Sequence, residues 1–216
     1  LFASELRGLL ASGLVERTAD GRAICDFLSL GAVPQPRTIL ADVQMLLPGH
    51  HAVLRDGRLV STEYWSYREA TRSEAVMPAG LQAQAGKLRQ LLEAATARHL
   101  VADVPVGAFL SGGVDSRIVV GLMSRVAHER IRTFTLGFEA APGFIDERET
   151  ARDAAEAFGC IHTELVLTPS EAIGAVERIL GDVDQPSVDG FNTWFVSRMA
   201  RERVTVALSG LGGDEL

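Results

Sequence analysis

The sequence predicts an α/β domain built on a parallel sheet, preceded by the tail of a β-rich domain. Three observations predict it. From residue 81 onward, short apolar runs alternate with amphipathic stretches of helical period, the pattern of βαβ units. The run VPVGAFL is a short, apolar, buried-type strand, and IRTFTLGF, IHTELVL and VTVALS read as further strands between helices, which implies a parallel sheet covered by helices. Residues 1 to 68, in contrast, hold short alternating runs broken by turn signals and show no core of their own.

In chain order, Ser4 opens a helical stretch, SELRGLLASGL, with Glu5 in its first turn. Pro48-Gly49 makes a turn, and Asp56-Gly57 joins two short strands as a hairpin within HHAVLRDGRLVSTEYW. YREATRSEAVMPAG is polar and small, and fits a linker. The expected division is therefore 1–68 for the first domain's tail, 69–80 for the linker and 81–216 for the second domain. LQAQAGKLRQLLEAATARHL has a helical apolar face. RIVVGLMSRVAHE and NTWFVSRMARER read as helices, and DERETARDAAEAFG as an amphipathic helix closed by Gly159. Thr168-Pro169-Ser170-Glu171 is a helix start, with a capping hydroxyl, proline at the first position and an acid at the third.

Composition narrows the classes. Of 216 residues 47% are hydrophobic, enough for a core, yet no run approaches the ~18 apolar residues of a membrane span. No signal peptide opens the chain, so the cytoplasm is expected. The net charge of -7 is spread without blocks of one sign, which argues against a nucleic-acid partner. Cys25 and Cys160 are far apart and lack a CxxC partner, and both are expected to be buried free thiols. Among 21 basic residues only Lys87 is a lysine, and it lies in a surface-type helical stretch.

The strongest chemical signal is Leu110-Ser111-Gly112-Gly113-Val114-Asp115-Ser116, set between a buried strand and a helix. Two glycines let the backbone turn sharply and approach an oxygen-rich ligand. The following helix offers free N–H groups and the positive end of its dipole to an anion. Ser111 and Ser116 add hydroxyls for a pyrophosphate, and Asp115 suits Mg²⁺ beside phosphate oxygens. The chain lacks GxxxxGK[ST], which argues against an ordinary P-loop. A second strand leads into Ser209-Gly210-Leu211-Gly212-Gly213-Asp214-Glu215, about 100 residues on. In a parallel sheet the strand ends share one rim, so Asp214 can share the metal with Asp115.

SGGxDS resembles the pyrophosphate loop of the N-type ATP pyrophosphatases, which cleave ATP to AMP and pyrophosphate. SGGxDS followed by SGxGxDE resembles the synthetase domain of glutamine-dependent asparagine synthetases. FTLGFE (134–139) resembles that family's second strand, DERETARDAAEAFGCIHTEL its acid–helix–histidine spacing, and DQPSVDGFNTWFVSRMARE (184–202) its acceptor-pocket region. LFASELRGLL and LLPGH…YW resemble the exit from the N-terminal glutaminase domain.

The resemblance implies an ATP-pyrophosphatase domain (adenine nucleotide alpha hydrolase-like) after the tail of an Ntn-type glutaminase domain. It implies ATP bound by Leu110, Ser111, Gly112, Gly113, Asp115, Ser116, Leu136, Ser209 and Gly210, with adenine near Leu110 and Leu136. Mg²⁺ would be held by Asp115 and Asp214, the two residues expected to be catalytic. The implied partners are ATP, aspartate or another carboxylate, and ammonia from glutamine, with no nucleic acid or membrane; a homodimer stays open.

Several departures matter. The catalytic N-terminal cysteine of the glutaminase and the family's pyrophosphate lysine are not in this sequence, which reads as a fragment truncated at both ends. Leu211 stands where asparagine synthetases often carry an acid and related β-lactam-forming enzymes a tyrosine, and Leu can neither accept nor donate a proton. Arg117 replaces a small residue. Asp146 and Glu147 are explained by the helix dipole, His50, His51 and His162 by turns and strand ends, and Trp194 with Phe195 by the core. Asparagine synthesis with glutamine hydrolysis is thus the leading reading. Amide formation on another carboxylate (a surface sugar acid, a peptide or a β-amino acid) and a degenerate ATP-binding module are the alternatives.

Overall fold

The computed structural model describes residues 1–72, 79–139 and 147–212. The chain divides into two compact units, Leu1–Val76 with Arg178–Gly190, and Met77–Glu177 with Phe191–Leu216. The segment Arg178–Gly190, which the sequence pattern assigns to the second domain, thus belongs with the first unit.

In the first unit, α1 (Leu6–Ala11) starts not from Ser4 but from Glu5, whose side chain makes no cap. The Leu6 and Arg7 N–H groups donate instead to the Asp184 carboxylate, at 2.9 and 3.2 Å. The helix α2 (Gly21–Leu30) is one that the sequence pattern does not announce. Asp20 caps it by accepting from Arg22 N and Ala23 N, and Gly31 ends it at φ 75°. Ala23 is its fully buried residue, whereas Cys25 is exposed, contrary to expectation. Gln185 accepts from Ile39 N at 3.0 Å, and Val188 N donates to Gly31 O at 3.0 Å. These hydrogen bonds, with those of Asp184, tie residues 184–188 into the first unit.

The predicted hairpin forms: β1 (His50–Arg55) and β2 (Arg58–Glu63) pair antiparallel. Asp56 and Gly57 both take positive φ, 50° and 75°, the two-residue turn that matches strand twist. Residues expected to be linker include a helix, α3 (Tyr67–Arg72). Residues 73–78 of that linker lie outside the described residues.

In the second unit, α4 (Leu81–His99) precedes the sheet. Then β3 (Val106–Phe109), α5 (Val114–Val126), β4 (Arg132–Phe138), α6 (Arg148–Ala157) and β5 (Ile161–Leu167) follow in βαβ succession. α7 (Pro169–Gly174) opens on the predicted capping box, with Thr168 accepting from Glu171 N and Glu171 reaching back to Thr168 N. Next in the chain come α8 (Val176–Asp182), most of which belongs to the first unit, then α9 (Gly190–Ala200) and β6 (Val206–Leu208). The strand order is β5-β4-β3-β6 and every pairing is parallel. The fold class expected from the sequence, α/β on a parallel sheet, is the one observed.

One core lies between the sheet, α5 and α6: Ala108, Leu110, Val120, Met123, Ile131, Ala151, Ala155 and Cys160. A second, with Phe134, Ala200 and Val204, is covered by α9 through Val196 and Met199. Cys160 is the buried thiol expected, and burial raises its pKa. Trp194 is half-buried rather than core, edge-to-face with Phe195 and under the Arg198 guanidinium.

His162 adds a titratable group beside this core. Its Nδ1 bonds Thr133 Oγ1 at 2.9 Å, while Nε2 stands 3.5 Å from Glu164 Oε1. Glu164 already accepts from Arg152 Nε and Nη2, each at 2.9 Å. Burial pushes the imidazole below its ordinary 6.5, against the pull of Glu164. The unfolded chain therefore takes up this proton first as pH falls, so stability is full above about pH 6.5 and declines below it. Urea midpoints measured from pH 7.5 to 5.5 should fall, and His162→Gln should flatten that slope.

Candidate nucleotide site

The site lies where the strand order reverses. The chain proceeds β3, β4, β5 in one direction and returns to place β6 on the other side of β3. In open α/β sheets ligands bind at the carboxyl ends of strands at such a switch point. The two glycine loops found in the sequence follow β3 and β6, the strands that flank it.

The β3 loop is organised by its own hydroxyls. Ser111 N donates to Ser116 Oγ at 3.1 Å, and the two serine hydroxyls lie 2.9 Å apart. Gly113 N donates to Ser111 Oγ at 3.2 Å, and the Ser116 hydroxyl reaches Ser111 O and Gly113 O, both at 3.2 Å. This makes a tight ring closing strand onto helix. Gly113 is the N-cap of α5 in extended conformation with no side chain to cap it, so the first N–H groups of the helix depend on another acceptor. Asp115 sits half-buried in that first turn, while Ser116 is buried. Arg117 Nε donates to Gly113 O at 3.2 Å, which turns a departure from the family pattern into part of the loop.

Strand β4 outruns β3. Its ladder with β3 ends at Phe134, whereas that with β5 continues to Phe138. Leu110 N bonds Phe134 O at 2.9 Å and the Thr135 hydroxyl bonds Leu110 O, so Leu110 is fixed, 2% exposed, beside the overhang that carries Leu136.

The β6 loop comes against this arrangement. A Cβ on Gly210 would stand 2.5 Å from Ser116 N and 2.8 Å from the Asp115 carbonyl carbon. Only glycine permits that approach, and it joins the two motifs in space. Leu211 N donates to Ser209 Oγ at 3.2 Å, and the Leu211 side chain is exposed. Asp214, expected as metal ligand and catalytic residue, lies outside the described residues with Gly213 and Glu215, as does Asp146. Among the described residues no group of three or more metal-ligating side chains occurs. A magnesium ion carried by phosphate oxygens and one or two carboxylates does not require such a cage.

One residue of this site is marked in the sequence only as the second of an acidic pair ahead of a helix. Glu147 Oε2 accepts from Gly112 N at 3.1 Å, across 35 residues of sequence.

The model for "Asparagine synthase" matches residues 87–216 of this chain, and that for "Glutamine amidotransferase domain" matches residues 1–65. The chain belongs to the asparagine synthase family. A Mycobacterium tuberculosis relative, provisionally named asparagine synthetase [glutamine-hydrolyzing], is 38% identical over 201 residues, covering 91% of this chain and 30% of its own length. Asparagine synthetase [glutamine-hydrolyzing] 1 of Bacillus subtilis is 33% identical over 221 residues, covering all of this chain and 33% of its own. The chain thus spans about a third of the length of these curated relatives. Among solved structures, an NH3-dependent NAD synthetase from Campylobacter jejuni aligns with 56% of this chain and 54% of its own, at 11% identity and a TM-score of 0.40. No helix among the described residues is long and apolar enough to cross a membrane.

Proposed function

We propose that this member of the asparagine synthase family forms an amide from a carboxylate at the expense of ATP, in the cytoplasm, using ammonia that glutamine supplies. The observation that supports this most is the approach of Gly210 to Ser116, which puts two glycine loops on one rim at the switch point of the sheet. On this reading residues 1–68 are the end of a glutaminase domain, 69–80 the linker and 81–216 the synthetase domain.

ATP lies with its phosphates on Ser111, Gly112, Gly113 and Ser116 and with adenine near Leu110 and Leu136, and Ser209 and Gly210 close the opposite side. Asp115 and Asp214 would hold Mg²⁺, which would supply charge neutralisation at the phosphates. An oxygen of the acceptor carboxylate bonds to the α-phosphorus, the bond to the β-phosphate oxygen breaks, and pyrophosphate leaves. Ammonia then bonds to the acyl carbon, AMP departs and a proton is lost. The protein's share is positioning and charge stabilisation, with no covalent intermediate on a side chain.

Aspartate is the first choice of acceptor. The exposed, apolar Leu211 favours keeping a second, in which another carboxylate is amidated, because no proton can be exchanged at that position. The full-length protein supplied with ATP, Mg²⁺, glutamine and aspartate should yield asparagine and AMP in equal amounts. AMP and amide appearing only with a different carboxylate would replace the substrate. ADP as the product would overturn the mechanism.

A further inference from the structure

The nucleotide loop already holds an anion that belongs to the chain. Glu147 is the residue before α6, at its N-cap, where a negative charge is favoured by the helix dipole without any bond to the helix's own N–H groups. Glu147 makes no such bond. Its Oε2 goes instead to Gly112 N at 3.1 Å, within the loop that the proposed function gives to pyrophosphate.

Two close packings hold it there. A Cβ on Gly112 would lie 3.0 Å from Glu147 Cβ and 3.4 Å from Thr150 Cβ. One residue on, the Arg148 stem lies against Gly137 near the end of β4, so that a side chain at 137 would run into it. The head of α6 therefore rests on both strand ends expected to carry the nucleotide, its carboxylate on the phosphate side.

From this we propose, resting on the nucleotide reading above, that Glu147 is a resident competitor for the pyrophosphate loop. One N–H cannot serve two anions at full strength, and a phosphate oxygen placed on Gly112 N is repelled by the carboxylate beside it. Nucleotide binding displaces Glu147, and the displacement lowers the affinity of the loop for phosphates. Glu147 is thus an affinity-setting residue of the site rather than a ligand of the nucleotide.

The test is calorimetric titration of the full-length protein, wild type against Glu147→Ala and Glu147→Gln, with inorganic pyrophosphate, with ATP lacking Mg²⁺, with MgATP and with adenosine. Both variants should bind pyrophosphate and metal-free ATP about 3- to 10-fold more tightly than wild type, the net worth of one ordinary exposed hydrogen bond. Adenosine binding should not change. Equal or weaker binding of pyrophosphate by the variants would overturn the proposal, as would an equal gain for adenosine, which would mean general loosening. Weakening confined to MgATP would overturn it too, making Glu147 a metal ligand. If wild type and variants alike bind neither ATP nor pyrophosphate, the nucleotide reading falls and the inference with it.

Discussion

Gly210→Ala is expected to cost ATP affinity more than about 10-fold and to destabilise the protein by about 1–3 kcal/mol, as an overpacked site does. The new methyl would meet Ser116 N at 2.5 Å, the Asp115 carbonyl carbon at 2.8 Å and Ser116 Cα at 2.9 Å. All three are backbone atoms in the first turn of α5, a 13-residue helix packed into the core through Val120 and Met123, so they cannot step aside. The β6 loop must retreat instead, and Ser209 with it. Gly212→Ala is the control, because its φ of 92° strains any side chain although nothing lies within 4 Å. That strain costs roughly 1–2 kcal/mol without pushing the loops apart. Urea midpoints and ATP titrations on both variants separate the effects. Wild-type affinity in Gly210→Ala would mean that the two glycine loops do not meet as described.

Asp115→Asn should reduce ATP–pyrophosphate exchange by about 10²–10³-fold, the scale of losing one preorganised charge interaction in a transition state. Asparagine keeps the shape of the half-buried side chain at the head of α5 but is a poorer ligand for Mg²⁺. Affinity for metal-free ATP should hold or rise, since a negative charge beside the phosphates is gone. A loss of exchange matched by an equal loss of metal-free binding would make Asp115 a structural residue of the loop.

What can be read from the sequence follows from where the folding forces act. The central strand β3 is legible because it is short and apolar, with Ala108 fully buried, whereas the edge strand β5 carries His162, Thr163 and Glu164 and is legible from its place between two helical stretches. The hairpin at Asp56-Gly57 and the box at Thr168 are legible because local chemistry decides them. The helix α2 is not, since Ile24, Leu28 and Leu30 are exposed and its buried contact is the small Ala23. Its signals are local ones, Asp20 that caps it and Gly31 that ends it. The start of α1 cannot be read at all, because Asp184 supplies the acceptor from 178 residues away. At the site, the meeting of the two loops is implied by the motifs, and Gly210 is its physical trace. Glu147 escapes because an acid ahead of a helix is satisfied by the dipole alone, and only the geometry shows it turned toward Gly112.

The most direct measurement is exchange of radiolabelled pyrophosphate into ATP by the full-length protein, with aspartate, with other carboxylates and with no acceptor. Exchange that requires a carboxylate, greatest with aspartate and lost in Asp115→Ala, is the expected result. Absence of exchange with every carboxylate, while ATP still binds, would contradict carboxylate adenylation and leave a nucleotide-binding module without this chemistry.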